Sequence, residues 1–213
     1  MMTLGLDTSE PLGSVALYCE AGLAEERWMD EPLQHAECLF SLIDRLLGES
    51  ETAPEAIEAV SVNRGPGSFT GLRISLAAAK GLCQAWRTPL IGVDGTRVYR
   101  ARVAEQRACV VLASRRDLFY VRWFAGDRSR GPTSMMREAQ LVEQLAHEQR
   151  DVVLVGSGAS RIYDALPGGA HVHLAPEEAN RPSALWVARL GSIEMPTDQL
   201  YEVEPLYIEP LLA

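Results

Sequence analysis

Along the first thirty residues, apolar and polar positions alternate with a period of two. Residues 3–7 are a short apolar run, residues 14–20 put Val15, Leu17 and Cys19 on one face, and residues 23–29 return after Ala21-Gly22. Such alternation, broken by Glu10-Pro11-Leu12-Gly13, predicts three strands in a meander. The period then lengthens. Leu39, Leu42, Ile43, Leu46 and Leu47 follow i, i+3, i+4, i+7 and i+8, with Glu37, Ser41, Asp44 and Arg45 opposite. That stripe predicts an amphipathic helix over residues 34–47, opened near His35 and ended by Gly48. A helical turn over 54–58, a buried strand over 59–62, a helix over 72–86 stopped by Thr88-Pro89, and a strand over 90–93 complete the first half.

The second half echoes the first. Strand 108–113, a polar turn at 114–117, strand 118–125 and a return through 134–137 repeat the meander about 107 residues downstream. Helix 138–149, strand 152–155, the loop Gly156-Ser157-Gly158, helix 159–166 and a last helix over 182–190 follow. The pattern predicts an α/β protein of two duplicated lobes, each a mixed β-sheet flanked by helices. The boundary is placed between residues 1–104 and 105–213, with the C-terminal tail free to pack back on the first lobe.

Charge narrows the functional classes. The 213 residues carry 20 Lys+Arg against 29 Asp+Glu, a net charge of -9, and Lys80 is the sole lysine. An acidic chain argues against autonomous nucleic-acid binding, which depends on neutralising phosphates. The opening residues lack a basic segment followed by an apolar stretch, so no secretory signal is expected. No apolar run approaches membrane-spanning length. Cys19, Cys38, Cys83 and Cys109 form no CxxC pair, which suits free thiols in a reducing cytoplasm.

Candidate chemistry concentrates at two strand ends. The loop Gly65-Pro66-Gly67-Ser68-Phe69-Thr70-Gly71 joins a predicted strand to a helix, where backbone N–H groups can hold an anion or simply shape a turn. It is no P-loop, because Leu72-Arg73 stands where Lys-Ser/Thr would be, and it misses the dinucleotide spacing by one residue. Asp7-Thr8-Ser9 ends the first strand, either as a phosphate-positioning group or as a turn cap. Its counterpart in the repeat is Ala113-Ser114, which carries no carboxylate for magnesium. His171 and His173 share a strand face without an evident third ligand, and His35 and His147 stand apart. Arg115-Arg116 reads as a solvated turn or an anion clamp. No GxSxG or HExxH pattern occurs. Helix 72–86 is apolar around much of its girth and carries the small residues Ala77, Ala78, Ala79 and Gly81, fitting either a buried core helix or one covered by a second subunit.

The run from Gly65 to Ile74, followed by Ala79-Lys80-Gly81-Leu82, resembles the signature of the bacterial TsaB (YeaZ) family, members of the ASKHA superfamily with an actin-like ATPase fold. Leu6-Asp7-Thr8-Ser9 with Ser14-Val15-Ala16-Leu17, Gly92-Val93, Arg115-Arg116 before Tyr120, Gly156-Ser157-Gly158 before Tyr163, and Pro205-Leu206-Tyr207 fall in the family's order. The resemblance implies a role in making N6-threonylcarbamoyladenosine at position 37 of tRNAs that read ANN codons. It also implies a TsaD-like catalytic partner, a TsaE-like ATPase, a homodimer in the partner's absence, and contact with tRNA only through the partners. TsaD carries a metal-binding HxxxH pair just past the strand after this helix. The matching stretch here, Gly92 to Tyr99, has no histidine, so the resemblance implies a non-catalytic subunit that needs no cofactor of its own. ATP or ADP with Mg would sit at a partner interface. The partner surface is then expected on Leu39, Leu42, Ile43, Leu46, Leu72, Ile74, Ala78, Gly81 and Leu82. Any nucleotide or phosphate contact is expected from Asp7, Thr8, Ser9, Gly65, Gly67, Ser68 and Thr70. The rival reading is an autonomous ATPase or phosphotransferase of the same fold. A protease is disfavoured by the absence of an assembled nucleophile or metal set, and a plain interaction module for another partner stays open. Where the family shows Ile-Asp-Ala-Arg-Arg, this chain has Leu112-Ala113-Ser114-Arg115-Arg116, without the Asp. After Gly92-Val93 it has Asp94-Gly95-Thr96-Arg97 in place of a serine-rich stretch.

Overall fold

The β-branched and leucine-rich runs become strands, the first three in the expected meander. A computed structural model describes residues 1–30, 35–168, 171–194 and 200–208. It divides into unit 1, Met1–Val98 with Pro182–Leu206, and unit 2, Tyr99–Arg181 with Tyr207–Ala213.

In unit 1, β1 (Thr3–Asp7), β2 (Ser14–Cys19) and β3 (Leu23–Trp28) form an antiparallel meander, and β4 (Ala59–Asn63) and β5 (Leu90–Val93) add in parallel. The strand order is β3-β2-β1-β4-β5. Helices α1 (His35–Glu49) and α2 (Phe69–Trp86) connect these strands, and α3 (Gly95–Arg100) follows β5. Gln34, the expected first residue of α1, lies outside the described residues. Gly48 does not end the helix; it is helical, and Ser50 Oγ donates to the Leu46 carbonyl one turn back at 2.7 Å. Helix α2 starts three residues before its apolar stripe because the Ser68 side chain caps it. Helix α3 was not foreseen; Asp94 caps it, accepting from the Thr96 N–H at 2.9 Å and the Thr96 hydroxyl at 2.6 Å.

Unit 2 repeats the plan. Strands β6 (Arg107–Ala113), β7 (Leu118–Ala125), β8 (Arg128–Ser129) and β9 (Ser134–Arg137) are antiparallel, and β10 (Val152–Val155) and β11 (Val172–Leu174) continue from β6 in parallel. Helices α4 (Glu138–Ala146) and α5 (Ala159–Asp164) take the places of α1 and α2. In each unit a meander's first strand therefore sits next to the two parallel additions, the duplication expected from pattern alone.

The domain division needs one correction. Helix α6 (Ala184–Gly191), expected in the second lobe, belongs to unit 1. Its apolar face, Ala184, Val187 and Ala188, is buried there. Close packing on β1 is possible because position 5 is glycine; a Cβ there would lie 2.2 Å from the Ala184 carbonyl oxygen. Among the described residues no helix is long and apolar enough to cross a membrane. The four cysteines are free thiols, and burial pushes Cys83 up to about 11.

Candidate functional site

The residues singled out at the ends of β1 and β4 do meet in space, but largely to bind one another. Asp7 is fully buried. Its Oδ1 accepts from the Ser9 N–H at 3.0 Å and the Ser9 hydroxyl at 2.6 Å, and its Oδ2 accepts from Asn63 Nδ2 at 3.0 Å. Asn63, which sequence reasoning passed over, is the hub: its Nδ2 also donates to Ser9 Oγ, and its Oδ1 accepts from the Gly65 N–H. An amide at the end of a wholly buried strand, just before the glycine loop, was the available signal.

The glycine loop is stitched to the same strand end. The Ser68 N–H donates to the Ser9 carbonyl at 2.7 Å, the Gly71 N–H to Ser68 Oγ at 3.2 Å, and the Thr8 hydroxyl to the Gly71 carbonyl at 2.7 Å. A Cβ on Gly71 would sit 1.9 Å from the Thr8 carbonyl oxygen, and one on Gly67 2.5 Å from that of Ser9. The loop is thus glycine-rich because two backbones touch. The N–H groups of Gly65, Ser68 and Gly71 are already engaged within the loop and with the end of β1, and Thr70 is exposed on the first turn of α2. As a cradle for ATP or ADP with Mg, this set fits poorly.

Burial raises the Asp7 carboxyl above the ordinary aspartate range, against the lowering pull of Ser9 and Asn63. Glu26 is raised for the same reason. It accepts from the Ser14 hydroxyl at 2.9 Å, the Ser183 hydroxyl at 3.1 Å and the Leu185 N–H at 3.3 Å, while Ser14 Oγ accepts from the Ala184 N–H. These contacts receive the N-terminus of α6. Three of them join residues 157–170 positions apart, so no local pattern announced them.

The expected partner surface is redistributed. Leu39, Leu42, Ile43 and Leu46 of α1, with Leu72 and Ala78 of α2, are 0–7% exposed and form part of unit 1's own core. An amphipathic stripe turns inward first, and these residues are the floor rather than the face. Ile74 and Leu82 lie at the margin of the core, and Gly81 is exposed with no atom within 4 Å of where its Cβ would be. What remains outside is an apolar groove of about 350 Å³ between the two helices, walled by Ala36, Phe40, Ile74 and Ala77 over Leu39 and Ala78. Phe40 is 52% exposed and Phe69 is 54% exposed, with the Arg73 guanidinium 3.8 Å above the Phe69 ring.

Other candidates are scattered. His171 Nδ1 and His173 Nε2 flank one oxygen of Asp151 at 3.2 and 3.4 Å, and all three side chains are exposed. Among the described residues no three His, Cys, Asp or Glu side chains are grouped to hold a metal ion. Arg115 and Arg116 stand exposed in the β6–β7 turn.

A family model described as "TsaD: tRNA N6-adenosine threonylcarbamoyltransferase" matches residues 32–130. The chain is 27% identical over 220 residues to the tRNA threonylcarbamoyladenosine biosynthesis protein TsaB of Haemophilus influenzae, covering 96% of this chain and 92% of that one. It is 36% identical over 94 residues to the protein of the same name from Escherichia coli, a match spanning 44% of this chain and only 40% of that relative. Among solved structures, YeaZ from Pseudomonas aeruginosa superposes with a TM-score of 0.79 at 25% identity, covering 97% of this chain and 99% of that one. The duplicated mixed sheets are those of the actin-like ATPase fold.

Proposed function

Because the chain belongs to the TsaB (YeaZ) family, we propose that it serves N6-threonylcarbamoyladenosine synthesis on tRNA as a non-catalytic subunit of a TsaD-type transferase. The observation that carries this reading is the groove on α1 and α2, an exposed apolar face on an otherwise charged chain. Small residues at Ala36, Ala77 and Gly81 let a second helix pair approach closely, while Phe40 and the Phe69–Arg73 stack supply the aromatic and arginine anchors that concentrate binding energy. Both helices lie within the segment that matches the transferase family model, so a partner built on the same plan would present a like pair. Two such pairs can supply the roughly 1,600 Å² of a stable interface. In the partner's absence the same face closes on a second copy.

The absence of histidine from Gly92 to Tyr99 supports a supporting rather than a catalytic role. The engaged donors around Asp7 favour a nucleotide, where the assembly uses one, held mainly by partner residues at the interface. A TsaE-like ATPase completes the assembly, which acts in the cytoplasm.

Phe40→Asp and Ala77→Asp test the interface, since both side chains are outside the core; Ala78 is 7% exposed and a charge there would disrupt folding instead. Each variant is expected to weaken co-purification with the transferase at least about 30-fold while the melting temperature stays near wild type. Complex formation undiminished in both folded variants would sink the reading. Gly81→Ala separates the two demands on α2. It should stabilise the lone chain by about 1 kcal/mol, as alanine does inside a helix, yet weaken the complex, as read by melting and by pull-down on the same preparation.

A further inference from the structure

The net charge of -9 is not evenly spread. Unit 1 has eight basic against eighteen acidic residues, whereas unit 2 has twelve arginines against eleven acidic residues. Within unit 2 the excess gathers on one hairpin system: residues 113–137 hold six arginines and two aspartates, a local charge of +4. We infer that this arginine stripe, running along β7 from the β6–β7 turn to the β7–β8 hairpin, is a binding surface for the phosphate backbone of RNA.

Geometry places the charges at both ends of one strand. Arg115 and Arg116 project from the turn before β7, and Arg128 and Arg130 from the hairpin after it; all four are exposed. Eight residues of strand at about 3.3 Å each separate the two pairs by about 25 Å. At the turn, the neighbouring carboxylates are already matched. Arg137 holds Asp117 at 2.9 Å, and Arg161 holds Glu138 at 2.5 Å while donating to the Arg116 carbonyl at 3.0 Å. Asp117 is accordingly lowered by Arg137. Among the described residues, the Arg115 and Arg116 side chains have no acidic partner, and Arg116 keeps a left-handed backbone, φ 57°, where glycine would be easier.

Between the ends, the pairing register puts Leu118 opposite Arg137 and Tyr120 opposite Met135. The half-buried Tyr120 ring and Arg122 thus share a face with Arg137, and Arg122 is fixed by a 3.1 Å bond from its Nε to Ser129 Oγ. Guanidinium groups grip phosphates bidentately, and a tyrosine between them offers a surface for an unstacked base. That combination favours a nucleic acid over an acidic protein. The choice of RNA among polyanions rests on the function proposed above. It also revises the expectation, drawn from whole-chain charge, that the chain does not bind nucleic acid by itself, and with it the contact with tRNA only through partners that the resemblance implies; charges beyond about 8 Å are screened at physiological salt, so local sign decides.

The test is fluorescence anisotropy of an unmodified tRNA transcript titrated with the full chain. Four phosphate contacts predict affinity falling about 50- to 150-fold between 50 and 200 mM salt. R115E/R116E and R128E/R130E should each weaken binding at least tenfold and flatten the salt slope by about two contacts; R128Q/R130Q gives a milder change should the reversed charges perturb folding. No binding at 50 mM salt, salt-independent binding, or unchanged binding in both double variants would overturn the inference. Preference for polyglutamate over tRNA would overturn it in favour of an acidic protein. Since Phe40 and Ala77 lie in unit 1, losing the transferase complex through them while tRNA binding persists would separate the two claims.

Discussion

Gly71→Ala is expected to destabilise the chain by about 3 kcal/mol, lowering the melting temperature by roughly 6–12 °C. The new Cβ would lie 1.9 Å from the Thr8 carbonyl oxygen, a backbone atom that no side-chain rotation can move aside. Relief requires the start of α2 to lift off the end of β1, which breaks the bond from the Thr8 hydroxyl to the Gly71 carbonyl and strains the Ser68 cap. A loop that existed to hold an anion would respond differently: the glycine change would abolish ligand binding and leave the melting point of the empty protein almost untouched. Thermal melts of the variant beside wild type distinguish the two. A melting point within 2 °C of wild type would show that the loop is not the brace described above.

The strand and helix pattern was legible because each element's burial is periodic. Strands β1, β5, β7, β9 and β10 have the bounds that alternation and apolar runs predict. The duplication could be read too, since a meander followed by two parallel additions leaves the same order of runs twice. What pattern could not assign was ownership. An apolar stripe says that a face is covered, never by what, so Leu39, Leu42, Ile43 and Leu46 were as compatible with a partner as with the core they occupy. Helix α6 shows the same ambiguity over distance. Its allegiance to unit 1 is decided by Ser14 and Glu26, more than 150 residues earlier, and by the close approach at Gly5. The glycine motif could be singled out, yet its structural part depends on Asn63 and Ser9, whose hydrogen bonds tie the loop to the end of β1.

Asp7→Ala is expected to lower stability by about 3 kcal/mol. The change orphans the Ser9 N–H, the Ser9 hydroxyl and Asn63 Nδ2, at about 1–3 kcal/mol for each buried donor, partly offset by removal of a buried carboxylate. The pH dependence gives a sharper test. The Asp7 and Glu26 carboxyls are both raised in the folded protein, chiefly by burial, and the Asp7 charge adds to the rise at Glu26. The folded state therefore holds protons that the unfolded chain releases, so the stability these groups contribute is complete below their unfolded values and is lost as pH rises through the raised ones. Glu148 works in the opposite sense. Its ion pair with Arg107 lowers its value, so its contribution is present above the unfolded value and disappears as pH falls through the lowered one. Whole-protein melts mix the two signs, which is why the informative quantity is the difference between wild type and Asp7→Asn or Glu26→Gln from pH 4 to 8. Wild type should lose ground to each variant as pH increases across that range, and Asp7→Asn should leave assembly with the transferase intact. Parallel curves would mean that neither carboxyl is raised. ATP turnover by the isolated chain, lost in Asp7→Asn, would instead turn the cluster from a brace into an active site and favour the autonomous enzyme.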